Sequence, residues 1–122
     1  MGETMFGPYN LYINGEWVPS ASGERYQRTS PSTGEVVADF AKGNQGDARK
    51  AIESARQAFD SGVWSDTSGA QRAAVLHKVA DLLRANAEET ARQEAAQVGI
   101  PYRTIGWLNW YVADVFDYFA GM

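Results

Sequence analysis

SGAQRAAVLHKVADLLRANAEETARQEAAQVG, residues 68–99, decides the fold class, because its spacing predicts two consecutive helices. Ser68 can cap the first, with Gln71 three residues on to close a capping box. Val75, Leu76, Val79, Leu82 and Leu83 recur at helical spacing and form one apolar stripe. Asn86 followed by Glu89 repeats the capping signal and predicts a second helix. Its apolar side is weaker: Ala87, Ala91, Ala95 and Val98. Gly99 suits a left-handed cap, and Pro101 cannot continue the ladder, so the second helix ends there. A strongly amphipathic helix beside an alanine-rich one must bury its stripe against a third element.

A chain of 122 residues with 44% hydrophobic content is long enough for one folded domain with a modest core. Eleven basic residues against fifteen acidic give a net charge of −4, without the basic excess of a nucleic-acid footprint. Arg49, Lys50, Arg56, Lys78 and Arg92 are scattered among acids, as on solvated helix faces. The absence of cysteine excludes disulfides, thiolate metal sites and a cysteine nucleophile within the chain, and it favours a reducing cytoplasm. The N-terminus MGETMFGPYN has no basic n-region with an apolar run, and no stretch has the length of a membrane span.

Residues 1–8 read as a flexible lead, and 9–122 as a single partial domain with β-hairpins over 9–42 and helices over 44–122. YNLYINGEWV, residues 9–18, is a hairpin around Asn14-Gly15, since both turn residues can take positive φ in a type I′ turn. RYQRT (25–29) and EVVADFAK (35–42) make a second hairpin across the turn chemistry of SPSTG (30–34). Asn44 can cap a helix from about residue 47 to 60 whose buried stripe would be Ala48, Ala51, Ile52, Ala55 and Phe59. The last helix, 102–122, carries an apolar arc covering about half its circumference, wider than an ordinary surface helix needs. Ile105, Leu108, Val112, Val115, Phe116 and Phe119 share one face, and Trp107, Tyr111 and Tyr118 widen it. Such a helix should be covered on two sides. The expected class is therefore α+β: two antiparallel hairpins followed by about four helices.

Little here carries chemistry. His77, the one histidine, falls on the polar side of its helix and reads as a surface residue. One histidine without cysteine excludes the common zinc arrangements. Glu88, Glu89 and Glu94 are spaced as helix-surface carboxylates, not as an acid/base pair. Gly43-Asn44-Gln45-Gly46 precedes a helix but lacks the glycine pattern of a phosphate loop. The acidic neighbours Asp114 and Asp117 argue against nucleic acid on the aromatic face of the last helix.

INGEWV (13–18), SPSTGEVVA (30–38), GDARKAIESARQAFDSGVWS (46–65), QRAAVLHKVADLLRANAEE (71–89) and YFAGM (118–122) occur in an order and spacing that resemble the N-terminal segment of the NAD(P)-dependent aldehyde dehydrogenase superfamily. The resemblance implies an oxidoreductase that converts aldehydes to carboxylic acids with NAD or NADP, of which this chain is the front portion. The family's catalytic cysteine, glutamate base and cofactor motifs are not among these residues. The chain alone is then expected to be inert, with no catalytic or cofactor-binding residue and no cofactor of its own.

Some members hold a structural monovalent cation with backbone oxygens that correspond here to Arg28 and Thr29. Gln97 stands where the family has an acid and Ile100 where it has a lysine, so only the backbone part carries over. The expected partner is the remainder of an aldehyde dehydrogenase, in cis or as a separate chain. The alternative is a stand-alone module that self-associates through Ile105, Trp107, Leu108, Tyr111, Val112, Val115, Phe116 and Phe119. Neither nucleic acid nor membrane is expected as a partner.

Overall fold

The computed structural model describes residues 4–122. The chain forms two compact units, one ending at Ser65 and one running from Asp66 to Met122. Among the described residues no helix is long and apolar enough to cross a membrane.

Among its described residues the first unit carries five strands and one helix: β1 (Phe6–Tyr9), β2 (Leu11–Ile13), β3 (Glu16–Val18), β4 (Arg25–Thr29), β5 (Val36–Ala41) and α1 (Gln45–Asp60). Both expected hairpins form. β2 and β3 pair antiparallel, Leu11 opposite Val18 and Tyr12 opposite Trp17. Asn14 at φ 54° and Gly15 at φ 80° supply the two positive angles that the type I′ turn needs. β4 and β5 pair antiparallel from Arg25–Ala41 to Thr29–Val36.

The expectation of a flexible lead over 1–8 is corrected at Phe6–Pro8, which belong to β1, while residues 1–3 lie outside the described residues. β1 pairs parallel with β5, giving a three-stranded sheet in the order β1-β5-β4. Pro8 fits because β1 is an edge strand, where a missing donor costs the sheet nothing. Gly7 is required by close approach: at φ 90°, an added Cβ would lie 3.1 Å from the carbonyl oxygen of Asp39 on β5.

As the central strand, β5 is buried on both faces at Val37, Ala38 and Asp39. Phe40 is stacked from both sides, by Tyr9 and by Tyr26, each with ring centroids 5.3 Å away. Asp39 pairs with Arg25 Nε at 2.7 Å, and Arg25 also donates to the Tyr9 carbonyl oxygen and to Asn10 Oδ1. One guanidinium thus ties all three strands together.

The second unit is α2 (Gly69–Ala85), α3 (Ala87–Val98) and α4 (Tyr102–Ala120). Ser68 closes the expected capping box: its N–H donates to Gln71 Oε1 at 2.8 Å, and Gln71 N–H donates back to Ser68 Oγ at 3.2 Å. Gly99 ends α3 at φ 75°, in the left-handed region. The second capping signal is not realised. Asn86 donates its side-chain amide to the Leu82 carbonyl oxygen at 2.8 Å, so it satisfies the end of α2 instead of the start of α3.

α4 packs on α2 and α3. The buried residues at this seam are Ala80, Ala87, Ala91, Ile105, Asn109 and Ala113. The expected α2 stripe is therefore rotated. Val75 and Leu82 are exposed, Leu76, Val79 and Leu83 are half-buried, and Ala80 is wholly buried. Alanine sets the line of closest approach because helix axes come nearest where side chains are smallest.

The α1 stripe is also corrected. Ile52 is 69% and Phe59 70% exposed. α1 leans on β2 through its first two turns, where Leu11, Ile13, Ala48 and Ala51 line one groove. Its later turns pass beyond that short strand.

Candidate functional site

Four arrangements could carry chemistry. The first is the start of α1. Asn44 Oδ1 accepts from the Gly46 and Asp47 N–H groups, and Asp47 reaches back to the Asn44 N–H at 3.0 Å, a reciprocal capping box. The Asp47 carboxylate is buried and also accepts from Ser20 Oγ at 3.0 Å and the Ala21 N–H at 3.1 Å, which fastens the 19–23 loop to the helix. The Asn44 N–H above all, and then Ala21, Ser20 and Lys50, hold this carboxyl below the usual carboxylate range against the cost of desolvation.

This is the strand-to-helix turn where a nucleotide phosphate would sit in a dinucleotide-binding unit. Here the donors are spent on Asn44, and a carboxylate occupies the position. The Asn44 and Asp47 side chains fill the turn that a pyrophosphate would need.

The second arrangement joins α2 to α4. His77 Nδ1 lies 2.7 Å from Asp117 Oδ1, and Arg84 donates to Asp117 Oδ2 at 2.6 Å and to Asp114 Oδ1 at 2.8 Å. His77 is on the surface, as its helical position predicts, but it has an orienting acid that sequence spacing could not show. The hydrogen bond from His77, followed by that from Arg84, lowers the Asp117 carboxyl below its ordinary range, and the two aspartates raise Arg84. The dyad is a cross-helix clamp. Its carboxylate is shared with a guanidinium, and the imidazole side chain is 56% exposed, whereas a catalytic base needs a cleft and a nucleophile.

The third concerns Arg28 and Thr29. They close β4 opposite Ala38 and Val36, the register shifts between them, and both are exposed. Among the described residues, no group of three or more His, Cys, Asp or Glu side chains is placed to hold a metal ion. Any cation at this position would depend on backbone oxygens, the contact named from the resemblance.

The fourth is the outer side of α4. Ile105 turns inward, while Trp107, Trp110, Tyr111, Tyr118 and Phe119 are all more than half exposed, and Leu108 is exposed as well. Trp107 and Tyr111 stack at 5.6 Å, and Tyr118 meets Phe119 edge-on at 5.3 Å. Val112, Val115 and Phe116 are half-buried. The seam residues Ile105, Asn109 and Ala113 recur every four positions, and the exposed rings lie between and beyond them.

Asn109 was not anticipated. Buried within the seam, it donates to the Ala87 carbonyl oxygen at 3.2 Å. Its only sequence signal is a lone amide among apolar neighbours at four-residue spacing from Ile105 and Ala113.

Residues 17–122 match the model of the aldehyde dehydrogenase family. Aldehyde dehydrogenase 1 of Tanacetum cinerariifolium is 41% identical over 112 residues, which are 91% of this chain and 22% of that protein. The NADP/NAD-dependent aldehyde dehydrogenase PuuC of Escherichia coli is 42% identical over 93 residues, 76% of this chain and 19% of that protein. Among solved structures, an NAD-dependent aldehyde dehydrogenase from Sinorhizobium meliloti superposes with a TM-score of 0.91 at 40% identity, over 94% of this chain and 23% of that one. The architecture is that of the N-terminal part of this fold, and the chain spans less than a quarter of the length of these relatives. By family model, sequence identity and fold together, this chain belongs to the aldehyde dehydrogenase family.

Proposed function

We propose that this chain is the N-terminal segment of an NAD- or NADP-dependent aldehyde dehydrogenase, an enzyme that oxidises aldehydes to carboxylic acids, and that the segment by itself is inert. The observation that carries the reading is the correspondence of nearly the whole chain, 94%, with under a quarter of a solved dehydrogenase. Two further features support it. The sequence has no cysteine to attack an aldehyde carbon, and the α1 turn is closed to phosphate. Ile52, Phe59, Trp107 and Tyr111 stay uncovered, as expected of surfaces that meet further polypeptide. The absence of cysteine also fits a reducing cytoplasm.

The segment's role is architectural: it contributes a sheet edge and helix faces against which the nucleotide-binding and catalytic parts pack. The test is an assay of the purified 122-residue chain for aldehyde-dependent reduction of NAD or NADP. No turnover is expected; oxidation of aldehydes by this chain alone would overturn the reading.

A second reading is favoured by the exposed rings of α4. A stand-alone chain would use Trp107, Tyr111 and their neighbours to self-associate. Under that reading Tyr111→Ser with Phe116→Ser yields a monomer of unchanged helix content by light scattering and circular dichroism, and an unaltered oligomer mass removes it.

A further inference from the structure

We infer that Asn14 is a site of self-modification, where the side-chain amide is lost through an imide with Gly15 and isoaspartate forms at the tip of the β2–β3 hairpin. An asparagine amide carbon lies within reach of the next residue's backbone nitrogen once the backbone between them turns suitably. A side chain on that next residue hinders the approach. Gly15 has none, and a Cβ built there meets nothing within 4 Å, so a closing ring finds open space. Asn14 and Gly15 are both exposed to the water that must later open the ring. Among the described residues, Asn14 is also the one non-glycine residue at positive φ, 54°.

The other asparagines are held or hindered. Asn10 precedes Leu11 and accepts from Arg25, and Asn44 precedes Gln45 and is spent on the α1 cap. Asn86 and Asn109 precede Ala87 and Trp110, and each commits the amide nitrogen that would have to leave, to the carbonyl oxygens of Leu82 and Ala87. Asn14 has only the Ser54 hydroxyl donating to its Oδ1 at 3.4 Å, a long bond on the carbonyl end that gives way easily.

Ring closure needs the turn to open, since the paired arms fix the Asn14 backbone. β2 and β3 have three residues each and form a sheet of their own, the least stable kind of pairing. In the open state the Gly15 nitrogen attacks Asn14 Cγ. The new N–C bond forms, the Cγ–Nδ2 bond breaks, and the Gly15 proton leaves with that nitrogen as ammonia. Water then adds to one imide carbonyl, giving aspartate or isoaspartate. Isoaspartate routes the backbone through Cβ and Cγ, and the added methylene does not fit a two-residue turn. The product therefore cannot restore the Ile13–Glu16 register or the contact of Tyr12 with Trp17 at 5.0 Å. This inference rests on the hairpin alone and is independent of the proposed activity.

The test holds the folded protein at mildly alkaline pH. Isoaspartate is followed by labelling with an isoaspartyl methyltransferase and located by tandem mass spectrometry. It is expected at position 14, with Asn10, Asn44, Asn86 and Asn109 intact over the same time. Trp17→Ala removes an exposed ring and its cross-strand partner contact, so it should speed the reaction about threefold by releasing the arms. Earlier loss of any other amide overturns the inference, as does a folded protein without isoaspartate at 14. An unchanged or slower reaction in Trp17→Ala overturns it too, since opening of the hairpin would then not limit the chemistry.

Discussion

The β-rich unit and the helical unit solve the same problem, cohesion without a fully buried large side chain among the described residues, by different means. In the first, polar groups do the fastening. Arg25 bonds across all three strands, and Asp47 collects N–H and hydroxyl donors from its own helix and from a distant loop. In the second, the buried seam is steric, and the His77–Asp117–Arg84–Asp114 clamp is confined to the surface of α2 and α4. Ala80, Ala91 and Ala113 disappear completely into the α2–α3–α4 seam, while the bulky Trp107, Trp110 and Tyr118 remain outside. A polar lock tolerates changes in volume around it but fails when a partner atom is removed. An alanine seam makes the opposite demand.

That contrast can be broken first at the seam. Ala113→Leu should cost about 3 kcal/mol by overpacking a position with no free space, read as a fall in the urea midpoint followed by the far-UV signal of the helices. Loss of under a tenth of that would show that the helices are loosely packed there. Asn109→Ala, which removes the buried amide's bond to the Ala87 carbonyl oxygen and leaves a cavity in the seam, should cost about 2 kcal/mol in the same experiment.

In the β-rich unit, Gly7→Ala should cost about 1–2 kcal/mol, because alanine must either adopt a positive φ or abandon the contact with β5. The effect should be local, with accelerated amide exchange in β1 and β5 and none in α2–α4. Asn44→Ala removes the α1 cap and should cost about 1 kcal/mol, with fraying confined to the first turn of that helix.

Acidification should produce the smallest effect and act on both units. Asp47 and Asp117 have carboxyls held below their unfolded values, so the stability they confer is present above the ordinary carboxylate range. It is lost as pH falls through the lowered folded values. The thermal midpoint should therefore decline on acidification below about pH 4, and less steeply in Asp47→Asn and Asp117→Asn. Equal acid sensitivity in both variants would assign the decline to other carboxylates.

The parts legible in the sequence were those fixed by local chemistry. Asn14-Gly15 dictates its hairpin, Ser68 and Gln71 their box, and Gly99 its left-handed cap. Each of these depends on neighbours within three residues. What could not be read depends on distant pairing. β1 contains Gly7 and Pro8, poor strand formers that become a strand only because β5 lies alongside. Of the stripe Val75, Leu76, Val79, Leu82 and Leu83 only Leu76, Val79 and Leu83 turn inward, because which flank is buried depends on how closely α4 can approach. Ala80 decides that, and alanine carries no hydropathic signal strong enough to be noticed. Asn86 matches a capping pattern for α3, but at φ −107° and ψ 10° its backbone is not extended as a cap requires, and its amide bonds back to α2 instead.

Likewise, His77 and Asp117 are forty residues apart and meet only when α2 and α4 cross. The family motifs were legible because they are contiguous. The lack of cysteine was legible because it is a fact of composition.

The central claim is that this chain functions as part of a longer dehydrogenase. The most direct test is the mass of the native gene product in a lysate of its source, detected with an antibody to residues 46–65. Coverage of 22% of a relative predicts a band roughly four to five times the 13.4 kDa of this chain, copurifying with NAD- or NADP-dependent aldehyde oxidation. A product of 13.4 kDa with no longer form would contradict the account.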